Sequence, residues 1–196
     1  MRFRLTGGQI CGLAAFLAAA TFLGFAVVHA PASAAAAGGG YSFDGGTQRE
    51  RATVSSALAA SSFDWSLIPG QVTIHVTPRG SSYASKGEIW LDSAMLAHGR
   101  AAWGIVQHEY ALQIDFFLFD AKIRARLNTL LHGKVWWPGR ESLRHSQYGA
   151  ERFASTLAYA YWPSSHNTLI KHARAETTAM APARFRTMMS DLVASL

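Results

Sequence analysis

Residues 107–117 read QHEYALQIDFF, with His108 and Glu109 side by side and apolar residues spaced around them. The apolar recurrence extends over residues 100–119 and predicts a helix there. In a helix, positions i and i+4 lie one turn apart on one face, about 40° apart around the axis. The pattern H-E-x-x-H uses this to aim two imidazoles at one ion, with the glutamate beside the first placed to act on a water. His108 and Glu109 supply the first half of that pattern. Leu112 occupies the second ligand position, and its alkyl side chain has no lone pair to offer a metal. Gln113 lies about 140° from His108 around the axis, so it is no simple replacement. On these two residues alone, a buried helix whose polar tips find hydrogen bonds reads as well as a metal site.

Upstream, Val72, Ile74 and Val76 alternate with Thr73, His75 and Thr77, the period of a half-buried strand with His75 on its solvated face. Pro78-Arg79-Gly80 ends it, and residues 87–91 (GEIWL) form a second short strand. Residues 80–86 between them predict a hairpin loop. Thr47 with Glu50 predicts a capping box opening a helix over residues 47–61. Downstream, residues 121–131 predict a helix broken by Gly133, and residues 136–145, with Pro138 and Gly139, predict a loop. Residues 148–162 predict an amphipathic helix stopped by Pro163, and a last helix runs from Pro182, a good first-turn residue, to residue 192. One helix, a small sheet and then several helices make an α+β arrangement. Trp136-Trp137 reads either as a groove lining that stacks on ligands or as an apolar plug under a loop.

Glu151 falls in the helix over residues 148–162 and shares a face with Ala154 and Ala158, whose small side chains let a second helix approach. A carboxylate held against a second helix is what a third zinc ligand requires. A salt bridge to an arginine is the plainer alternative. HEYALQIDFF, then Tyr148, then Glu151-Arg-Phe-Ala-Ser-Thr-Leu-Ala, resembles the catalytic domain of the anthrax-toxin lethal-factor-like zinc metallopeptidases, a gluzincin family. In that family H-E-x-x-H is followed by a distant glutamate in an E-x-F-A helix. Met180-Ala-Pro-Ala-Arg-Phe185 also resembles the segment opening the family's terminal helix. The similarity spans roughly residues 88–196, about half the chain.

The resemblance implies a zincin-like α+β fold, a small sheet or hairpin followed by the active-site helix and further helices. It implies Zn2+ held by His108 and Glu151, with Glu109 as general base. It also implies Tyr148 as a stabiliser of the oxyanion through its hydroxyl, in peptide-bond hydrolysis by metal-activated water. Leu112 departs from the family's histidine. Catalytic zinc sites keep three protein ligands and one open position, so two ligands predict an impaired or inactive enzyme. His132 and His145 lie in the intervening segment. Catalytic ligands depend on rigid elements, so both are read as surface groups, with rescue by either as the alternative. The rival expectation keeps the fold without turnover, as a peptide- or envelope-binding domain in which Leu112 fills the metal cavity.

With 196 residues, 49% hydrophobic and 12% aromatic, the chain suits one core-forming domain plus a leader. Met1-Arg-Phe-Arg4 precedes the uncharged residues 10–28 (ICGLAAFLAAATFLGFAVV), and small-residue sites such as Ala32-Ser33-Ala34 follow. This reads as a secretory signal peptide or, left uncleaved, as an N-terminal membrane anchor. The expected organisation is a leader over residues 1–34, an Ala/Gly-rich linker over 35–46 and the metallopeptidase-like domain over 47–196, secreted or extracytoplasmic. The single cysteine, Cys11, lies in the leader, which excludes a thiol nucleophile, a disulfide or Cys-ligated zinc in the exported domain. Eighteen Lys and Arg against 12 Asp and Glu give a formal charge of +6, but the cations are scattered. Nucleic acid is therefore not an expected partner. No G-x-S-x-G elbow accompanies the serines. The expected partner is a peptide or protein substrate, with a membrane involved only through an uncleaved leader.

Overall fold

The computed structural model describes residues 40–139 and 142–196. The expected leader and residues 35–39 of the expected linker lie outside them. Tyr41–Gly45 forms strand β1, so the linker reading does not hold for these five residues. Tyr41 and Phe43 are half-buried while Ser42 and Asp44 are exposed, a two-residue period that follows directly on the Ala/Gly tract. Helix α1, Gln48–Ala60, opens with the expected capping box. The Thr47 N–H donates to Glu50 Oε2 at 2.6 Å, and the Glu50 N–H returns to Thr47 Oγ1 at 3.3 Å.

Strands β2 (Val72–Thr77), β3 (Tyr83–Ser85) and β4 (Glu88–Asp92) complete one sheet in the order β1-β2-β4-β3. β1 and β4 both pair parallel to β2, and only β3 runs antiparallel, against β4 at the sheet edge. The expected hairpin between β2 and β4 is therefore corrected. A hairpin would make those strands antiparallel, whereas Tyr83–Ser85 supplies a return leg that lets β4 run alongside β2. Gly87, at φ +79°, makes the turn from β3 into β4. Val72, Ile74, Val76, Ile89 and Leu91 point into the core. On the other face His75 is half-buried, stacked on Trp90 and 2.8 Å from Asp44 Oδ2.

After the short helix α2 (Ser93–Leu96) and a 3-10 turn, helix α3 runs from Trp103 to Leu118 through the middle of the molecule. All nine residues from Gln107 to Asp115 are buried, so the polar ones must find partners inside. Three of them tie the helix to different neighbours. Gln107 Nε2 donates to Ala57 O of α1 at 2.6 Å. Gln113 Oε1 accepts from the Gly87 N–H at 2.8 Å, and its Nε2 donates to Ser85 O at 2.8 Å, fastening α3 to the β3–β4 turn. Asp115 Oδ1 accepts from Arg124 Nε at 2.7 Å and from Trp136 Nε1 at 3.1 Å. Leu112, between them, is 4% exposed and belongs to the apolar core.

Helix α4 (Ala121–Leu130) leads to the 132–136 segment, and helix α5 (Gly149–Tyr161) crosses α3. Short helices α6 (Leu169–His172) and α7 (Arg174–Thr177) precede α8 (Pro182–Val193). The architecture is a mixed α+β fold with a four-stranded sheet and several helices. No helix among the described residues is long and apolar enough to cross a membrane. The Trp136-Trp137 pair is an apolar plug. Trp136 packs against Phe119 and Phe153, and Trp137 stacks on Phe116 at 5.0 Å.

The entry to α5 is pinned by a second chain segment. The Lys134 N–H donates to Gln147 O at 2.8 Å, the Gly149 N–H to Val135 O at 2.7 Å, and the Ala150 N–H to Trp136 O at 3.0 Å. Gly149 is required for this approach. A Cβ there would press on Asn128 Oδ1 and lie 2.6 Å from Trp136 Cε3. Gly149→Ala is expected to cost about 1–3 kcal/mol through overpacking, read as a lowered midpoint in urea unfolding.

Candidate metal centre

Glu151 stands in the first turn of α5, where the helix dipole favours a carboxylate. Its face carries the small residues Ala154 and Ala158, fully buried, and α3 packs against α5. His108, on α3, brings Nε2 to 3.0 Å from Glu151 Oε2. The expected pairing of His108 with Glu151 is thus present. The plainer alternative for Glu151, a salt bridge to arginine, is absent among the described residues. Its partners there are two histidines.

The second histidine is His145, from a 3-10 turn (His145–Gln147) just before α5. Its Nε2 lies 3.1 Å from the same Glu151 Oε2. His145 is exposed, as expected of a surface group, yet it joins the group that the alternative of rescue named. The side chain is 63% exposed, yet both ring nitrogens are engaged. His132 is exposed, at the left-handed end of α4 with φ +56°, and is not part of the group. The turn that presents His145 is held from its C-terminal side, by the pairing of residues 134–136 with 147–150 and by Arg152. The Arg152 guanidinium donates to Leu131 O and, at 2.9 Å, to Ser146 O.

Behind the two imidazoles lies a shared support. Ser155 Oγ–H donates to Glu176 Oε2 at 2.8 Å, so with its proton committed it accepts from His108 Nδ1–H at 3.0 Å. Glu176 Oε1 accepts from His145 Nδ1–H at 2.9 Å. Both rings thus hold a proton on Nδ1 and turn Nε2 toward Glu151. This is the arrangement in which a carboxylate orients a ligating imidazole from the far side. Glu176, on α7, is 4% exposed and is held further by Thr156 Oγ1 donating to its backbone oxygen at 2.8 Å.

His108, His145 and Glu151 could hold a metal ion. Their ligand atoms all lie within 4.8 Å of one another. Ligands about 2.05 Å from a tetrahedral zinc stand roughly 3.3 Å apart, close to the 3.0 and 3.1 Å separations here. Two imidazoles and one carboxylate is also a donor set that zinc accepts.

The group is strongly coupled without a metal. Burial alone would raise the Glu151 pKa, but hydrogen bonds from His108 and His145 hold it well below the usual carboxylate range. The same bond to Glu151, then the one to Glu176, pushes His145 up to about 10. Burial disfavours charge on His108, yet its bond to Glu151 and the charges of Glu109 and Glu151 carry its pKa upward. Glu109 is raised to about 7, first by burial and then by repulsion from Glu151. Hydrogen bonding among the described residues plays no part in that shift.

Glu109 faces a cleft of about 240 Å³, lined also by Gly80, Ser81, Ser82, Asp92, Met95 and Ile105. Asp92 is committed to structure there, accepting from the Arg79, Gly80 and Met95 N–H groups. Tyr148 is buried, and its backbone closes the His145 turn, with its N–H donating to His145 O at 3.1 Å. The residues that sequence reasoning missed are Ser155 and Glu176. Ser155 stands four residues after Glu151, hence on its face, a signal open to reading. Glu176 sits in a four-residue helix with no periodic pattern to mark it. Glu176→Gln is expected to weaken zinc binding about 10- to 100-fold, measured by competition with a chromophoric chelator.

No protein-family model, curated protein or solved structure matches the chain.

Proposed function

We propose that this chain is an exported, zinc-dependent peptide hydrolase on a zincin-like fold, with His145 taking the place that Leu112 leaves vacant. The observation that carries this reading is the approach of two imidazole Nε2 atoms to one Glu151 oxygen, beside a buried glutamate that faces a cleft. Zinc, when bound, supplies Lewis-acid polarisation of the scissile carbonyl and of a water. His108, His145 and Glu151 are its ligands. Glu109, adjacent to His108 on α3, takes the proton from the attacking water and passes it to the leaving amine. Tyr148, by the family resemblance, steadies the oxyanion. The basic, apolar N-terminal segment supports export, and the substrate is a peptide or protein.

The expectation of an impaired enzyme rested on two ligands. A ligand from a surface turn serves as well as one from α3 if it is held rigidly, and Glu176, Arg152 and the 134–136 pairing do that here. A Leu112→His variant discriminates the two views. In a vestigial enzyme, it would restore zinc and activity. On the present reading it adds no ligand, buries an imidazole in the core and costs about 2–4 kcal/mol, so zinc stoichiometry stays unchanged while stability falls.

One feature favours a second reading. The metal-free group is internally satisfied, with Glu151 bonded to two imidazoles and Glu176 bonded on both oxygens. A binding domain without turnover could use it as a buried staple. Stoichiometric zinc in the purified protein, with cleavage of an unselective peptide library that Glu109→Gln abolishes, separates them. A protein that takes up no zinc and cleaves nothing would support the staple.

A further inference from the structure

The candidate centre lies between two clefts of opposite character. On the Glu109 side the lining is Gly80, Ser81, Ser82, Asp92, Met95 and Ile105, without a cation. On the His145 side a cleft of about 250 Å³ is shared between the 144–146 turn and residues 172–176, and it includes Arg144, His172 and Arg174. This cleft is lined by His145 and by the carboxylate behind its ring, Glu176, so it borders the candidate centre.

Among the described residues Glu176 is the only carboxylate in that lining, and both of its oxygens are already spent, one on His145 and one on Ser155. Arg144 and Arg174 are exposed, and neither forms an ion pair among the described residues. Two exposed guanidiniums beside a cleft attract planar anions, which they can bind bidentately. Among the described residues the cations line only one of the two clefts.

Resting on the hydrolase reading above, we infer that the His145 side is a carboxylate-recognition subsite, and that the preferred substrate is a peptide presenting a carboxylate there. An acidic side chain and a free C-terminus offer the same chemistry.

Four fluorescent peptides of one backbone distinguish the sources: one with an acidic residue and an amidated end, one neutral with a free C-terminus, one neutral and amidated, and one basic and amidated. Their binding is measured on the full chain carrying Glu109→Gln, with zinc and without it, so that no result depends on turnover. At least one carboxylate-bearing peptide is expected to bind about tenfold more tightly than the neutral amidated one. That advantage should disappear in Arg144→Glu and Arg174→Glu, and shrink in the gentler Arg→Gln variants, while the neutral peptide binds as before. A preference confined to the acidic side chain identifies an internal site, and one confined to the free C-terminus identifies end recognition. Equal binding of all four, no binding of any, or a preference that survives both charge reversals overturns the inference. Failure of the wild type to hydrolyse a peptide that it binds with this preference counts against the hydrolase reading alone.

Discussion

His145→Ala is expected to yield a folded protein that no longer retains zinc. The side chain is 63% exposed, so its truncation removes little packing and the fold survives. Its Nε2, however, is one of three ligand atoms in the only such group among the described residues. Loss of an orienting partner behind a ligand already costs about 10- to 100-fold in affinity, and loss of the ligand itself costs more than that. The expected result is a zinc affinity reduced by more than about 100-fold, read by chelator competition. His132→Ala, the neighbouring histidine outside the group, is expected to leave affinity unchanged. The pair of variants therefore tests which histidine replaces the missing one, independently of any substrate.

Glu109→Gln is expected to abolish turnover while leaving zinc in place. Glutamine keeps the volume and the buried position but cannot accept a proton, and a positioned general base contributes about 10²- to 10⁴-fold. Residual cleavage should fall by that factor with little change in KM. The wild type should also show an acid limb. Glu109 works in its charged form, and burial holds its pKa near 7 in the metal-free protein, so activity falls as pH drops and the carboxylate is protonated. A nearby dication favours the charged form, so the limb in the loaded protein lies below 7. Glu109→Gln removes this limb together with the activity.

The parts of this account that were legible in the sequence are those set by local rules. The capping box at Thr47 and Glu50, the spacing of apolar residues in α3 and the proline opening α8 each specify an element through its own residues. The pairing of His108 with Glu151 was readable through the family resemblance and not from either helix alone. What escaped depends on pairing at a distance. β3 has only three residues, too few to show alternation, and it exists because β4 offers an edge. His145 sits on an irregular segment, and its position is set by residues 134–136 bonding to 147–150 and by Arg152 reaching back to Ser146. Glu176 approaches through a four-residue helix that local propensity does not single out. Leu112 read as a deficit because only α3 was in view. In three dimensions it is core, and a second imidazole that could serve a metal stands on the 145–147 turn.

The central claim is that two histidines and one glutamate, drawn from α3, the 145–147 turn and α5, make a complete ligand set. X-ray absorption at the zinc edge of the zinc-loaded protein tests this most directly, because it counts imidazoles through their multiple-scattering signature. Two imidazoles in the wild type, falling to one in His145→Ala under forced loading, is the predicted result. A single imidazole in the wild type, or a spectrum unchanged by His145→Ala, would contradict it.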